Sequence, residues 1–316
     1  MKILVTGGGG NVGSALLRSL AGEAGLQLRA AVRRSVASPL ANCEYVVTGD
    51  LASAAVTGIA EGCDVVVHTA ARVHVMEEDA ATAETAYRDT NVAGTLRVAQ
   101  EAARAGVRRF VFISTVKVNG ESTQPGAPFR EDDHPNPEGP YAVSKLEAES
   151  GLREFCAKAG MEFVIVRPPL VYGPGVGANF LALAQAVKRG LPLPLGAIRN
   201  SRSLVGIDNL VSFLKVCIEH PAAANEIFLV SDGHDLSSGE LAKGIAAAMH
   251  KRIWLLPAPG WLLRGVGAAT GRGLAVQRLL DNLQVDIGKA ARLLSWVPPV
   301  TVEEGLRRAV QGMISA

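Results

Sequence analysis

Tyr141 and Lys145 stand four residues apart in the run Tyr141-Ala142-Val143-Ser144-Lys145. On a helix that spacing puts both side chains on one face, so a phenol and an ammonium can serve one site. A free tyrosine ionises near pH ~10, too high for efficient proton transfer at neutrality. A neighbouring positive charge stabilises the phenolate and lowers that value. The chemistry on offer is proton donation to, and abstraction from, a substrate oxygen. The pattern alone is common, but here it follows a strand-like run that ends in two hydroxyls, Ser114-Thr115.

A second constellation lies at the N-terminus. Gly7-Gly8-Gly9-Gly10-Asn11-Val12-Gly13 follows the short apolar run Ile3-Leu4-Val5 and precedes a helical pattern. The glycines fit two registers, Gly8-x-Gly10-x-x-Gly13 and Gly7-x-x-Gly10-x-x-Gly13. In either, glycine permits a tight turn and close approach of the backbone to a pyrophosphate at a helix N-terminus. Strand, glycine turn and helix in that order are the context that gives the pattern meaning. An acid at the end of the second strand would hold the ribose of NAD. The sequence has Val32-Arg33-Arg34-Ser35 instead. Two guanidiniums and a hydroxyl suit a 2′-phosphate, so NADP(H) is favoured and NAD(H) is possible. The oxidised nicotinamide would add a second positive charge beside Tyr141.

The elements that must position these groups follow from hydrophobic patterning. Ile3-Leu4-Val5, Leu28–Val32, Tyr45-Val46-Val47, Val65-Val66-Val67, Phe110–Ile113 and Phe163–Val166 read as buried strands. Between them run Ala-, Leu- and Arg-rich stretches near 11–21, 52–61, 84–106 and 141–159, read as helices. Alternating α and β with near-continuous apolar strands describes a parallel sheet covered on both faces. The fold class is α/β, a Rossmann-type doubly wound sheet. After Arg167-Pro168-Pro169 the rhythm breaks. Residues 1–168 form the dinucleotide-binding domain, with returns to the sheet expected at Ser203-Leu204-Val205 and Ile227–Val230. Residues 169–316 form a smaller, mainly helical substrate-binding region.

The 316 residues are 48% hydrophobic and 20% charged, and the net charge is +2. That composition excludes a disordered chain and leaves no electrostatic footprint for nucleic acid. Four widely spaced cysteines and the absence of a signal-peptide or membrane-spanning run lead to the expectation of a cytoplasmic protein. From Leu241 to Leu280 there is no acidic residue, yet Lys243, Lys251, Arg252, Arg264, Arg272, Arg278, Trp254 and Trp261 occur there. That segment reads as a membrane-surface helix, a cover over an anionic substrate, or a helix packed on the core. His68, His74 and His134, the last beside Glu131, Asp132 and Asp133, have no metal-ligand spacing, and no metal is expected. No nucleophile elbow surrounds Ser114, which discounts a hydrolase.

The motifs occur in a family's order. Thr6-Gly7-x-x-Gly10-x-x-Gly13, Asp50-Leu51, His68-Thr69-Ala70-Ala71, Asn91-Val92-x-Gly94-Thr95, Ser114-Thr115, Tyr141-x-x-x-Lys145 and Arg167-Pro168-x-x-Val171-Tyr172-Gly173-Pro174 follow one another. Together they resemble the extended short-chain dehydrogenases/reductases of the nucleotide-sugar epimerase/dehydratase group, over nearly the whole chain. The resemblance implies that Tyr141 is the acid/base, Lys145 its partner, and Thr115 the hydroxyl that holds the reacting oxygen, with Ser114 as second choice. It also implies adenine contacts from Asp50 and Leu51, and cofactor contacts from Ala70, Ala71 and Pro168. Asn179 and Arg202 would grip the substrate's diphosphate, and long helices near 84–106 and 141–159 would build a homodimer.

The sequence departs from the epimerases that hold NAD tightly at Arg33 and at Lys117 and Asn119. Leu283-Gln284-Val285-Asp286-x-x-Lys289 and Trp296-x-Pro298-Pro299 resemble bacterial 4-keto-6-deoxy amino-sugar nucleotide reductases of surface-polysaccharide pathways. The expected activity is therefore NADPH-dependent reduction of the 4-keto group of a UDP-linked deoxy sugar. A UDP-sugar 4-epimerase with retained NAD is the alternative. A non-catalytic NADP-sensing regulator on the same fold would have no need of Tyr141, Lys145 and Thr115.

Overall fold

The computed structural model describes residues 1–53, 56–73, 80–271 and 273–314, without the side chains of residues 80–82, 178, 179 and 314. Its centre is a parallel sheet of β1 (Lys2–Thr6), β2 (Gln27–Val32), β3 (Cys43–Val47), β4 (Val65–His68), β5 (Arg109–Ile113) and β6 (Glu162–Arg167). β7 (Leu170–Tyr172) and β8 (Leu204–Gly206) pair apart from it, and β9 (Glu226–Leu229) closes its edge. The order in the large sheet is β3-β2-β1-β4-β5-β6-β9. Of the two expected returns to the sheet, only the β9 segment joins it. Leu204 and Val205 instead pair with Leu170 and Val171 in a separate two-stranded sheet.

Continuous apolar strands follow from having helices on both faces. Ile3, Val5, Val65, Val67 and Val111 face one core with α1 (Asn11–Leu20), while Leu4, Val66, Phe110 and Phe112 face the other. That second core is completed by a long helical arm and the helix beside it. The arm runs as α2 (Ala80–Tyr87), one π-helical turn (Arg88–Ala93) and α3 (Gly94–Arg104). Beside it lies α4 (Gly139–Ala159), which presents Ala148, Leu152 and Cys156 to the core. Pro140 at the start of α4 and Gly160 in the left-handed region after it bound that helix by the usual stereochemistry. The helix expected over 52–61 does not form; the described part of that stretch is a series of turns on the sheet's edge.

The C-terminal part contributes α5 (Ala178–Lys188), α6 (Ile207–Glu219), α7 (Ser238–Ala248), α8 (Gly260–Ala269), α9 (Gly273–Leu280), α10 (Gly288–Leu294) and α11 (Val302–Ile314). α6 does not stay with its neighbours in sequence but packs on the first core beside α1. Arg109, buried at the start of β5, donates to the carbonyl oxygens of Cys217, Ile218 and His220 at the end of α6. α5, α7 and α11 enclose a separate core around Tyr172 and Phe180. No helix among the described residues is long and apolar enough to cross a membrane.

α4 is fixed to β6 by a buried ion pair. The Arg167 guanidinium donates to Glu149 at 3.0 and 2.6 Å and to Asn119 Oδ1 at 3.0 Å. Removing one partner strands the other charge in the core. Glu149→Met should therefore lower stability by about 3–5 kcal/mol, and Glu149→Met/Arg167→Met by clearly less. Chemical denaturation of the three proteins checks this; equal losses in the single and double variants would show that the pair is not the cause.

Candidate active site

In a parallel sheet the carboxyl ends of the strands open a crevice where the strand order reverses, here between β1 and β4. A cleft of about 470 Å3 lies there, within the range of cofactor sites. It is lined by the turn after β1 (Thr6, Gly7, Gly9, Gly10), the end of β2 with Arg33 to Ser35, Thr48 to Leu51 after β3, and Thr69 to Arg72 after β4.

The glycine turn takes the register Gly7-x-x-Gly10-x-x-Gly13. Gly7 has φ +69°, and a Cβ there would lie 2.7 Å from the Ala70 nitrogen. A Cβ on Gly13 would lie 2.4 Å from the Gly7 oxygen. Both contacts are impossible for any other residue, so α1 and β4 close on the turn only because these positions carry glycine. Gly10 precedes α1 without any side-chain cap, and the first turn of α1 has no acid. The positive end of that helix therefore faces the cleft unneutralised. A dinucleotide pyrophosphate fits this cradle.

The expected cofactor residues Asp50, Leu51, Ala70 and Ala71 all line this cleft with Gly7, Gly10, Arg33 and Arg34. Arg33 and Arg34 are exposed and form no ion pair among the described residues. Asn11 opens α1, Val12 turns toward the first core, and Gly13 serves the turn's packing. Pro168 is buried behind Thr115, where its carbonyl accepts the Val116 N–H at 3.0 Å. It is not among the residues lining the cleft.

A second cleft of about 300 Å3 is lined by Tyr141, Tyr87, Lys117, Glu121, Gly139, Leu274, Gln277 and Arg278, among others. The two clefts meet through side chains. Arg72 of the first lies over the Tyr87 ring at 5.9 Å, and Tyr87 meets Tyr141 edge-on at 6.0 Å. Thr115 follows β5 directly, and its hydroxyl lies near enough to the Tyr141 phenol to favour the phenolate. Thr115 Oγ1 also accepts the Lys117 N–H at 3.3 Å, which fixes the short turn at Val116–Val118. Ser114, its neighbour, has a buried hydroxyl with no hydrogen-bond partner among the described residues.

Tyr141 and Lys145 come from consecutive turns of α4, as their spacing predicts. Burial and the nearby Tyr87 push the phenol up to about 12, against a smaller lowering by Thr115. Such a phenol stays protonated at neutral pH unless positive charge is brought to it. Lys145 is buried, its Nζ 2.6 Å from the Ile113 oxygen and 4.0 Å from the centre of the Phe112 ring. Burial pulls its ammonium down to about 7, and Glu149 one turn on opposes that.

A polar chain unnoticed in the sequence joins the two halves. Thr95 donates to the Asn91 carbonyl at 2.6 Å, so His68 Nε2 donates to Thr95 at 3.1 Å. His68 Nδ1 then accepts from Thr6 at 2.7 Å. Burial and Lys145 hold His68 near 3, a neutral strut rather than a ligand or base. Asn91, in the π-helical turn, pairs with both backbone groups of Arg72 at 2.8 and 3.1 Å and donates to Ser144 at 3.0 Å. Ser144 donates to the Tyr141 carbonyl at 2.8 Å. The motif Asn91-x-x-Gly94-Thr95 carried this signal; Tyr87, Arg72 and Thr90 left none.

The second cleft is charged. Lys117 pairs with Glu121 at 2.5 Å and Arg278 approaches Glu121 at 3.9 Å. Arg202, largely buried, donates to the Asp281 carbonyl at 2.9 Å beside these groups. Burial lowers both Lys117 and Arg202 from their ordinary values. The side chain of Asn179, at the start of α5, and the whole of His74 lie outside the described residues.

The NAD dependent epimerase/dehydratase family model matches residues 3–231. The chain belongs to that family. It is 45% identical, over 100% of its own length and 96% of the other's, to a UDP-glucose 4-epimerase of Vibrio cholerae. Its fold is similar to that of UDP-glucuronic acid 4-epimerase from Bacillus cereus in complex with NAD (TM-score 0.80, 20% identity, 99% of this chain and 100% of that one). It is also similar to UDP-glucose 4-epimerase from Thermotoga maritima with UDP-glucose (TM-score 0.77, 24% identity, 100% and 99%). As a member of the epimerase/dehydratase family the protein is an NAD(P)-dependent enzyme, and the α/β architecture expected from its strands is that of these structures.

The burial of Lys145 has a thermodynamic signature. Its folded value near 7 lies below its ordinary 10.5, so between those values the unfolded chain binds a proton that the folded chain does not. Stability rises with pH wherever the unfolded state binds more protons. The difference in Tm between wild type and Lys145→Met should thus move in favour of wild type as pH climbs from 7 to 10.5. Calorimetry across that window checks it, and a flat difference would remove the buried ammonium as the cause.

Proposed function

We propose that the enzyme is a nucleotide-sugar 4-epimerase that retains NAD. One observation carries the chemistry: the Tyr141 phenol, with the Thr115 hydroxyl beside it, lines a charged cleft that adjoins the dinucleotide cleft through Tyr87 and Arg72. The 45% identity to a UDP-glucose 4-epimerase supports the epimerase over the 4-keto reductase expected from the C-terminal motif.

The pyrophosphate would lie on the Gly7–Gly13 turn at the start of α1, the adenine beside Asp50 and Leu51, and the remaining half along Thr69 to Ala71. When bound, the dinucleotide would supply the acceptor, and then the donor, of the hydride at C4 of the sugar. Tyr141, as phenolate, accepts the 4-hydroxyl proton on the outward step and gives it back on the return. Thr115 keeps the oxygen within reach of the phenol in both steps. Lys145 supplies positive charge from the buried side of the same helix, which counters the upward push of burial on Tyr141. Lys117, Arg278 and Arg202 offer charge-assisted donors to the nucleotide's diphosphate, and Glu121 pairs with the first two. The 4-keto sugar turns over between the two steps.

A second reading rests on Arg33, Arg34 and Ser35. They line the adenosine end of the first cleft, where two unpaired guanidiniums suit a 2′-phosphate. An NADPH-consuming reductase would use the same Tyr141, Thr115 and Lys145 for one hydride transfer and one proton transfer.

Denaturing the purified protein and weighing what it releases separates the two. The epimerase should release about one NAD per chain; NADP(H) or nothing would favour the reductase and the Arg33 reading. Tyr141→Phe should lose roughly 10²- to 10⁴-fold in turnover of UDP-glucose to UDP-galactose, the usual scale for a positioned acid/base. Its nucleotide content should match wild type. Near-normal turnover would remove Tyr141 from the mechanism.

A further inference from the structure

The acid-free segment 241–280 folds into a feature whose outer face the catalytic cycle leaves unused. α8 and α9 pack on each other as a helical hairpin and meet the body chiefly through Leu263 and Leu280. α8 turns Gly260, Leu263 and Gly267 inward and leaves its other residues exposed. Trp261 is 75% exposed on α8, Leu274 71% on α9, and Trp254 71% on the stretch leading to them. Leu256, Leu262 and Val266 are exposed as well. Large apolar side chains gathered on one element are unusual on a surface that faces only water.

Charge decides what covers them. Lys251 and Arg252 are exposed beside Trp254 and have no ion-pair partner among the described residues. Arg264 pairs with Asp281, which lies just beyond the segment. A protein partner of ordinary composition needs no such one-sided charge. An anionic lipid surface offers both things the segment lacks, a negative headgroup layer for the cations and an apolar boundary for tryptophan and leucine. The same hairpin walls the substrate cleft through Leu274, Gln277 and Arg278. We propose that the α8–α9 hairpin and the Trp254 stretch form a docking face for an anionic membrane surface, which sets the mouth of the substrate cleft at the bilayer.

The test is a flotation assay of the full chain with vesicles of mixed phosphatidylglycerol and phosphatidylcholine, or of phosphatidylcholine alone. The protein should float with the mixed vesicles, not with the neutral ones, and be released at high salt. Trp296 is buried, so a blue shift of tryptophan emission on vesicle addition reports Trp254 and Trp261. Trp261→Ser/Val266→Ser should partition about tenfold or more weakly, the scale for withdrawing large apolar side chains from hydrocarbon, while its turnover of soluble nucleotide sugar stays at the wild-type level. Lys251→Gln/Arg252→Gln should lose the preference for anionic lipid. Absence of flotation overturns the proposal. So does a dimer that Trp261→Ser/Val266→Ser dissolves, which would assign the face to a second copy. An emission shift with UDP-glucose but none with vesicles would assign it to a lid. Because binding is read without turnover, this outcome is independent of the epimerase reading.

Discussion

A positive charge in the interior of an α/β core is the constraint on which the site depends. Among the described residues Lys145 has no carboxylate in contact; its ammonium rests on the Ile113 carbonyl and the face of Phe112. Both partners belong to β5, so the charge can be held only while α4 keeps its place over that strand. The Arg167–Glu149 pair secures the next turn of the helix to β6. Ser144, adjacent to Lys145 and bonded to Asn91, secures the same turn to the π-helical turn. This short stretch of α4 is thus tied to three different elements. Tyr141, at the head of the helix, inherits its position from all of them.

The same ties explain how two clefts become one site. Thr6 ends β1 and lines the first cleft; Asn91 lies in the π-helical turn and Thr95 at the start of α3; Ser144 lies under Tyr141. His68 and Asn91 join them without an ionised group, since every donor and acceptor in the chain has its partner. A neutral, fully bonded network suits this place. An imidazolium next to Lys145 would add a second unpaired charge to the core, whereas a neutral imidazole carries the hydrogen bonds at no electrostatic cost. The π-helical turn supplies the geometry by adding a residue where an α-helical turn would point Asn91 elsewhere.

The sequence made the nucleotide half legible because its demands are local. A turn that excludes every Cβ needs glycine at Gly7 and Gly13, a buried parallel strand needs consecutive β-branched residues, and a paired phenol and ammonium need a four-residue step. Each demand is met within a few residues, and patterning detects it. The substrate half is set by long-range packing instead. Leu204–Gly206 has the composition of a sheet strand, but β7 leads the chain out of the large sheet at Pro168-Pro169 and gives it a nearer partner. Residues 52–61 have helical composition, yet Leu51 and Ile59 are drawn into the second core from a series of turns. Tyr87 gave no signal because it belongs to no spaced motif, and Arg278 showed only as one cation of the acid-free segment; tertiary packing alone brings them to Tyr141.

The two halves differ in how tightly they are built, and the chemistry asks for that difference. Hydride transfer needs the cofactor ring and the sugar carbon held in one geometry, which a close-packed sheet end provides. Epimerisation also needs the sugar to present its other face before hydride returns. A pocket closed on all sides by core packing would resist that turn. Here the wall opposite Tyr141 is α9, which leans on the body through few apolar side chains and meets the cleft with Leu274, Gln277 and a guanidinium. In the proposed epimerase, Arg278, Lys117 and Arg202 would fix the diphosphate while the sugar beyond it stays free to rotate. On that reading the rigid half sets where the hydride and the proton go, and the looser half sets which face of the sugar receives them.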